Sequence, residues 1–450
     1  MSPTLAARLD RLPPFSTHRR LVLVIGLGTF FDLYDIFLGG VLAAVLAEPW
    51  HLGTNGKAAL IASAFAGMFI GALTLGALAD RFGRRRMFLA NLATYSVFTL
   101  AAAAAPSVEW LIALRFVAGL GLGAELILAD TYLSELLPQR VRGRYLAWAY
   151  TVGFAGVPVA AFVGGRFVAA EEVLIDGWRW LLIAGGLGAA VVWALRRNLP
   201  ESPRWQEVSG DRDAARVTVE RMEAAAREEL GLASLPEPGV TPPASTAEHR
   251  GWREIFAPEF RRRSVMLCVF QVLQTVGYYG FGSLAPLVLA SKGFDIVSTL
   301  GYAGLIFVGY PVGSAASIVI VERLERKLLI IASALTMAAL GIVFGFATAP
   351  AAIIASGFVL TAASNVFSNA YHIYQAEIFP TRIRASAVGG AYSLSRLTGA
   401  LLPFLSVAIL DGLGATAVFL GSAALLVALC VDVAVLGPRS TGRSLEAVSR

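Results

Sequence analysis

Two carboxylates, Asp32 and Asp35, stand inside Phe30-Phe-Asp-Leu-Tyr-Asp-Ile-Phe-Leu-Gly-Gly40, a segment otherwise apolar enough to cross a bilayer. A charge at the centre of a membrane helix costs about 2.5–3.5 kcal/mol on insertion scales, so such residues usually face a cavity, a partner charge or a proton pathway. On a helix, Gly28, Asp32, Asp35 and Gly39 share one stripe. Reversible protonation is the chemistry that this pair offers. The plainer reading is one neutral aspartate hydrogen-bonded between helices.

Further polar residues recur on every third apolar run. The fourth run carries Arg115 and Glu125, the seventh Gln271, Gln274 and Tyr278, and the tenth Asn365, Asn369 and His372. Together with the aspartates of the first run they outline one shared cavity, although such side chains also bond helix to helix. Arg396, in the middle of the eleventh run, presents a guanidinium fork that holds a carboxylate in bidentate fashion or pairs with a buried acid such as Glu125. Tyr278, Tyr279, Phe281, Phe367 and Tyr371 could sandwich a flat ring, as aromatic packing also would. His372 is a candidate proton carrier.

The elements that must position these groups are membrane helices. Of 450 residues, 56% are hydrophobic and only 15% charged, with a mean hydropathy of +0.67, far from the roughly 25% charge of soluble domains. Apolar runs of about 20 residues match the length a helix needs to cross the hydrocarbon core. They fall at 21–47, 58–79, 87–105, 110–137, 145–168, 178–197, 264–290, 297–321, 328–348, 351–376, 386–410 and 414–436. The expected fold is therefore all-α and integral to the membrane, with twelve transmembrane helices.

The net charge of +6 does not imply nucleic acid, because the basic residues sit in short loops between apolar runs. Arg19 and Arg20, Arg81 with Arg84 to Arg86, Arg140 to Arg144, Arg323 to Lys327, and Arg382 with Arg384 all lie on one side, which is then cytoplasmic along with both termini. Cys268 and Cys430 each lie in a span and suggest no disulfide or metal site. No phosphate-cradling, metal-spaced or nucleophile motif is present, so neither an enzyme nor an ATP-driven pump is expected and no cofactor is implied. The arginine-rich, lysine-poor usage fits a GC-rich bacterial genome, so the expected location is a bacterial inner membrane.

The organisation expected is a cytoplasmic N-terminus at 1–20, a six-helix bundle at 21–197, a charged, proline-punctuated linker at 198–263, a second bundle at 264–436 and a cytoplasmic tail at 437–450. Within the linker, Asp211 to Leu230 reads equally as a surface helix or as solvated chain. The bundles repeat with one offset of 242 residues: Tyr132-Leu-Ser-Glu135-Leu-Leu-Pro138-Gln-Arg140-Val-Arg142 returns as Tyr374-Gln-Ala-Glu377-Ile-Phe-Pro380-Thr-Arg382-Ile-Arg384. The same register maps Gly71 onto Gly313, Asp80 onto Glu322 and Arg84 onto Arg326. Two pseudo-symmetric bundles around a site near the midplane are implied.

Gly76-Ala-Leu-Ala-Asp80-Arg81-Phe-Gly83-Arg84-Arg85-Arg86 resembles the loop signature of the major facilitator superfamily. Gating roles follow for Asp80, Arg81, Gly83, Arg84, Glu135, Arg142, Glu322, Arg326, Glu377 and Arg384, with the arginines pairing with acids across the interface of the halves or remaining cytoplasmic. Arg115, Tyr132-x-x-Glu135, Pro200-Glu-Ser-Pro-Arg204 and Glu377-Ile-Phe-Pro380 look like the sugar porters and related metabolite transporters. In that family, residues matching Asp35 and Arg115 form the proton-coupling pair, with Asp32 here as modulator or substrate contact. Tyr279 and His372 replace the amide and indole of a hexose site, and the segments around Glu125 and Arg396 look more like carriers of niacin, aromatic acids or other organic ions.

The resemblance thus implies a monomeric proton-coupled symporter of a small organic anion. Its substrate contacts would come from Glu125, Gln271, Gln274, Tyr278, Tyr279, Asn365, Asn369 and Arg396. A sugar or polyol porter, an efflux antiporter and a transporter-like sensor are the alternatives.

Overall fold

A computed structural model describes residues 4–169, 175–238, 255–379 and 381–438, and within these the side chains of Asp80, Glu322 and Arg384 lie outside the described set. The first six spans are α2 (Ser16–Val45), α3 (Thr54–Phe82), α4 (Arg84–Ala103), α5 with α6 (Val108–Gly123, Glu125–Leu136), α7 with α8 (Gln139–Phe154, Gly156–Ala169) and α9 (Gly177–Arg196). The short α1 (Leu5–Asp10) precedes them, and α10 (Pro203–Val208) and α11 (Arg212–Leu230) follow. The second six are α12 with α13 (Pro258–Thr275, Phe281–Ser291), α14 with α15 (Ile296–Phe307, Gly309–Arg323), α16 (Arg326–Phe346), α17 (Pro350–Glu377) and α18 (Thr381–Leu436). α18 holds two spans, because Gly414 takes a φ of 82° that interrupts it.

Several spans break where the sequence removes a backbone donor. Pro158 and Pro311 each lack the N–H that would bond the carbonyl four residues earlier, and α7 ends at Phe154 and α14 at Phe307, at those carbonyls. Between α12 and α13 a π turn at Val276–Gly280 rotates Tyr278 and Tyr279, the kind of defect often found at functional sites.

The repeat survives at the level of single contacts. A Cβ on Gly71 would lie 2.1 Å from the Leu120 carbonyl oxygen, and one on Gly313 would lie 2.1 Å from that of Ala362, at the same offset. Only glycine lets α3 meet α5, and α15 meet α17, this closely. Likewise Arg84 pairs with Glu135 at 3.4 Å and Arg326 with Glu377 at 3.5 Å. These ion pairs lie within each bundle, whereas the sequence had left open pairing between the halves. Gly83, with φ 99°, makes the tight turn from α3 to α4. Glu201 accepts the Arg85 N–H at 3.1 Å at the start of α4, which ties the turn to the Pro200-to-Arg204 motif. Arg81 is exposed beside the Phe82 ring.

On the arginine-rich face, α1 packs on α11. Asp211 caps α11 by accepting the Ala214 N–H, and Gly231 ends it with φ 61°. Val219, Met222 and Ala226 turn inward against Leu9, Leu12 and Phe15, while Val217 remains exposed. Glu223 accepts from Arg8 and Arg11, each at 2.7 Å, and Arg142 pairs with Asp10 at 3.5 Å. Burial works to raise the Glu223 carboxyl, but the two guanidiniums outweigh it and hold it below the usual range.

Such a group adds docking free energy above its unfolded pKa of about 4.3 and loses it as pH falls through the lower folded value. Glu223→Gln is expected to raise amide exchange over residues 5–12 at neutral pH, and acidification below about pH 4 should do the same to the unaltered protein.

Candidate functional site

The two bundles meet through α2 against α13, α3 against α18, and α8 against α14. At the arginine-poor end, Lys57 and Thr54 of α3 hold Asp411 of α18 at 3.2 and 2.5 Å. A Cβ on Gly40 would sit 2.0 Å from the Ser283 carbonyl oxygen of α13. No side chain fits there while this end is shut. Gly40→Leu is therefore expected to favour separation of the bundles at this end, read as a longer distance between spin labels at positions 53 and 412.

Asp35 sits in the first bundle, facing Arg115 of α5. Arg115 donates to the Asp35 carboxylate at 3.3 Å and to its backbone carbonyl at 3.1 Å. Each side chain is only 1% exposed. Gly39 packs beside the guanidinium, at an ordinary contact distance of 3.4 Å for a Cβ built there. The pair named from the sequence is thus in direct contact. Asp32, one turn earlier, is equally buried, and among the described residues neither of its carboxylate oxygens has a hydrogen-bond partner.

Glu125 departs from its expected place. Its carboxylate accepts from Arg196 at the end of α9, not from Arg396, and both residues are buried. It forms an ion pair inside the first bundle. Arg196 went unremarked in the sequence, where it ends an apolar run. Gly28 is the signal in the sequence, because its missing side chain is what lets the guanidinium reach α2.

Arg396 has another environment. It is 1% exposed, its NH2 donates to the Tyr392 hydroxyl at 2.8 Å, and the rings of Tyr279 and Tyr392 lie 5.1 and 4.9 Å from the guanidinium. Its Nε and NH1 have no hydrogen-bond partner among the described residues, and no acid there pairs with it. Tyr392 went unremarked in the sequence, although its i−4 spacing from Arg396 puts both on one helix face. Tyr279 also meets Phe65 across the bundle interface at 5.4 Å and Tyr278 at 4.7 Å. Beside Tyr279, Phe65 and Gly399 lies a small cavity of about 10 Å³, room for about one water molecule.

The amides are arranged as a ladder. Gln274 donates to Gln271 at 3.2 Å, Gln271 to Gln375 at 3.0 Å, and Gln375 contacts the His372 ring at 3.2 Å. His372 stacks on Tyr371 at 4.3 Å and on Tyr150 of the other bundle at 6.1 Å. Tyr150 in turn donates to Asp130 at 2.9 Å. Gln375 and Asp130 were missed in the sequence, where one lay inside the repeated Tyr374 motif and the other five residues past Glu125. Asn365 donates to the Tyr310 carbonyl at 2.7 Å and Asn369 to Ser317 at 2.5 Å. Both amide nitrogens thus bond α17 to α15, while Asn365 Oδ1 has no partner among the described residues.

Comparison with known proteins gives a consistent picture. The family profile of the sugar (and other) transporters matches residues 21–450. A putative metabolite transport protein of Bacillus subtilis is 31% identical over 98% of this chain and 96% of its own length. The niacin transporter of Acinetobacter baylyi is 30% identical over 99% of each chain. The Escherichia coli xylose transporter, in a partially occluded inward-open conformation, superposes with a TM-score of 0.77 at 20% identity, covering 95% of this chain and 100% of that one. The chain belongs to the sugar (and other) transporter family within the major facilitator superfamily and is a multi-pass membrane transporter of small molecules.

Proposed function

We propose that the protein imports a small organic anion, an aromatic or nicotinate-like monocarboxylate, together with protons by alternating access. The observation that carries this reading is Arg396: a buried guanidinium between two tyrosines, with two N–H-bearing nitrogens unspent among the described residues. A carboxylate supplies the missing charge and two acceptors in one plane, and the rings accept the flat body of the ligand. The similarity to a niacin transporter points the same way.

Asp35 and Arg115 supply the coupling. Protonation of Asp35 removes the charge that holds Arg115, and so changes the relative energies of the outward-facing and inward-facing states. The arginine-rich face is assigned to the cytoplasm, so the closed end faces outward and both termini lie inside. The protein works as a monomer in the inner membrane of a bacterium, with bundles at 21–197 and 264–436. A thermal-shift panel tests the substrate class: nicotinate and benzoate are expected to stabilise the purified protein while xylose and sorbitol do not. Stabilisation by the neutral polyols alone would overturn the anion reading.

A further inference from the structure

We propose that Asp32, Glu125 and Arg196 form a second proton-binding site, separate from the Asp35–Arg115 pair and resting on the reading of the protein as proton-coupled. The geometry is that of two acids and one cation, all buried. Arg196 of α9 reaches α2 beside Gly28, where a Cβ would lie 1.8 Å from its NH2. Asp32 follows one helical turn later. The guanidinium donates to Glu125 Oε1 and lies 4.5 Å from the Phe88 ring, and its NH2 also reaches the Ile25 carbonyl at 3.4 Å. Glu125 Oε2, both oxygens of Asp32 and Nε of Arg196 have no hydrogen-bond partner among the described residues.

The surrounding helices offer little to balance a second negative charge. Asp35 is engaged with Arg115, Tyr95 of α4 donates its hydroxyl to the Phe31 carbonyl at 3.2 Å, and Arg396 of α18 is turned toward Tyr392. From α7 and α8, Gly153 and Gly156 press against Thr29 and Phe30 without a charge. An ionised carboxylate in such a place is neutralised rather than left bare. Glu125 opens α6, where the helix N-terminus favours an anion and Arg196 is already bound. Asp32, in the middle of α2, therefore holds the proton in this conformation. The unspent Nε of Arg196 lets the guanidinium exchange one acid for the other when that proton leaves.

Infrared difference spectroscopy of the purified protein in nanodiscs tests this without substrate or gradient, through the deuterium-sensitive C=O stretch of protonated carboxyls. At neutral pH the band is expected in the wild type and in Asp35→Asn, and its Asp32 component is expected to vanish in Asp32→Asn. Arg196→Gln gives an independent arm: with its cation gone, Glu125 takes up a proton and the band gains a component, which a merely structural arginine would not produce. An unchanged band in Asp32→Asn, its loss in Asp35→Asn, or no gain in Arg196→Gln overturns the proposal. Because the spectra need no transport, a failure here leaves coupling through Asp35 standing. A failure of proton-driven uptake would likewise leave the protonated carboxyl intact.

Discussion

Arg396→Gln is expected to weaken binding of a monocarboxylate by roughly 30-fold to several-thousand-fold, the equivalent of the 2–5 kcal/mol lost when one partner of a buried charge pair is truncated. Glutamine cannot carry the positive charge, and it offers one amide where the guanidinium offers a planar fork. Arg396→Lys should recover part of the loss, since it restores a point charge without the bidentate geometry. Tyr392→Phe removes only the hydroxyl that accepts from Arg396 at 2.8 Å. That hydroxyl orients the fork, and its removal should cost about tenfold or less, in line with the 0.5–1.5 kcal/mol net worth of an ordinary hydrogen bond. Titration calorimetry with nicotinate reads all three. Unaltered affinity in Arg396→Gln would show that the guanidinium serves the packing of α18 and not the substrate.

Asp35→Asn should abolish accumulation while sparing exchange. The asparagine keeps the shape of the aspartate and still accepts from Arg115, so the pocket is expected to persist. It cannot take up and release a proton in the physiological range. Each unit of pH gradient is worth about 1.4 kcal/mol per proton, or tenfold accumulation of a solute that moves with one proton. In the variant that ratio is expected to fall to one, whereas counterflow of labelled against unlabelled substrate continues. Arg115→Lys should show an intermediate loss, because lysine keeps the charge but cannot span both the carboxylate and the backbone carbonyl of Asp35.

How much of this was legible in the sequence depended on whether a feature was local or shared between distant segments. The offset of 242 residues predicts equivalent packing, and Gly71 and Gly313 meet equivalent carbonyls at the same 2.1 Å. Asp211 and Gly231 are cap residues by type, and the linker helix begins and ends beside them. Asp35 and Arg115 were named together through the resemblance to the sugar porters. Arg196, by contrast, ends an apolar run, where an arginine ordinarily reaches for the membrane surface. Its burial needs Gly28 on α2 and Glu125 on α6, and no spacing within its own helix reveals either.

The same limit explains the amides. Asn365 and Asn369 lie on one stripe of α17, but periodicity does not say whether a stripe meets a cavity or a neighbouring helix. The carbonyl of Tyr310 stands one residue from Pro311, near the break between α14 and α15, and Asn365 bonds it there. The polar N-terminal segment was given no structure beyond a cytoplasmic N-terminus at 1–20. Its short helix docks because Arg8 and Arg11 converge on Glu223, more than two hundred residues away in the chain.

The measurement that bears most directly on the account is uptake of labelled nicotinate or benzoate into proteoliposomes under an imposed inward proton gradient. The account predicts uphill accumulation accompanied by proton entry, lost on collapse of the gradient and absent in Asp35→Asn. Equal uptake with and without the gradient, or accumulation that Asp35→Asn leaves intact, would contradict it.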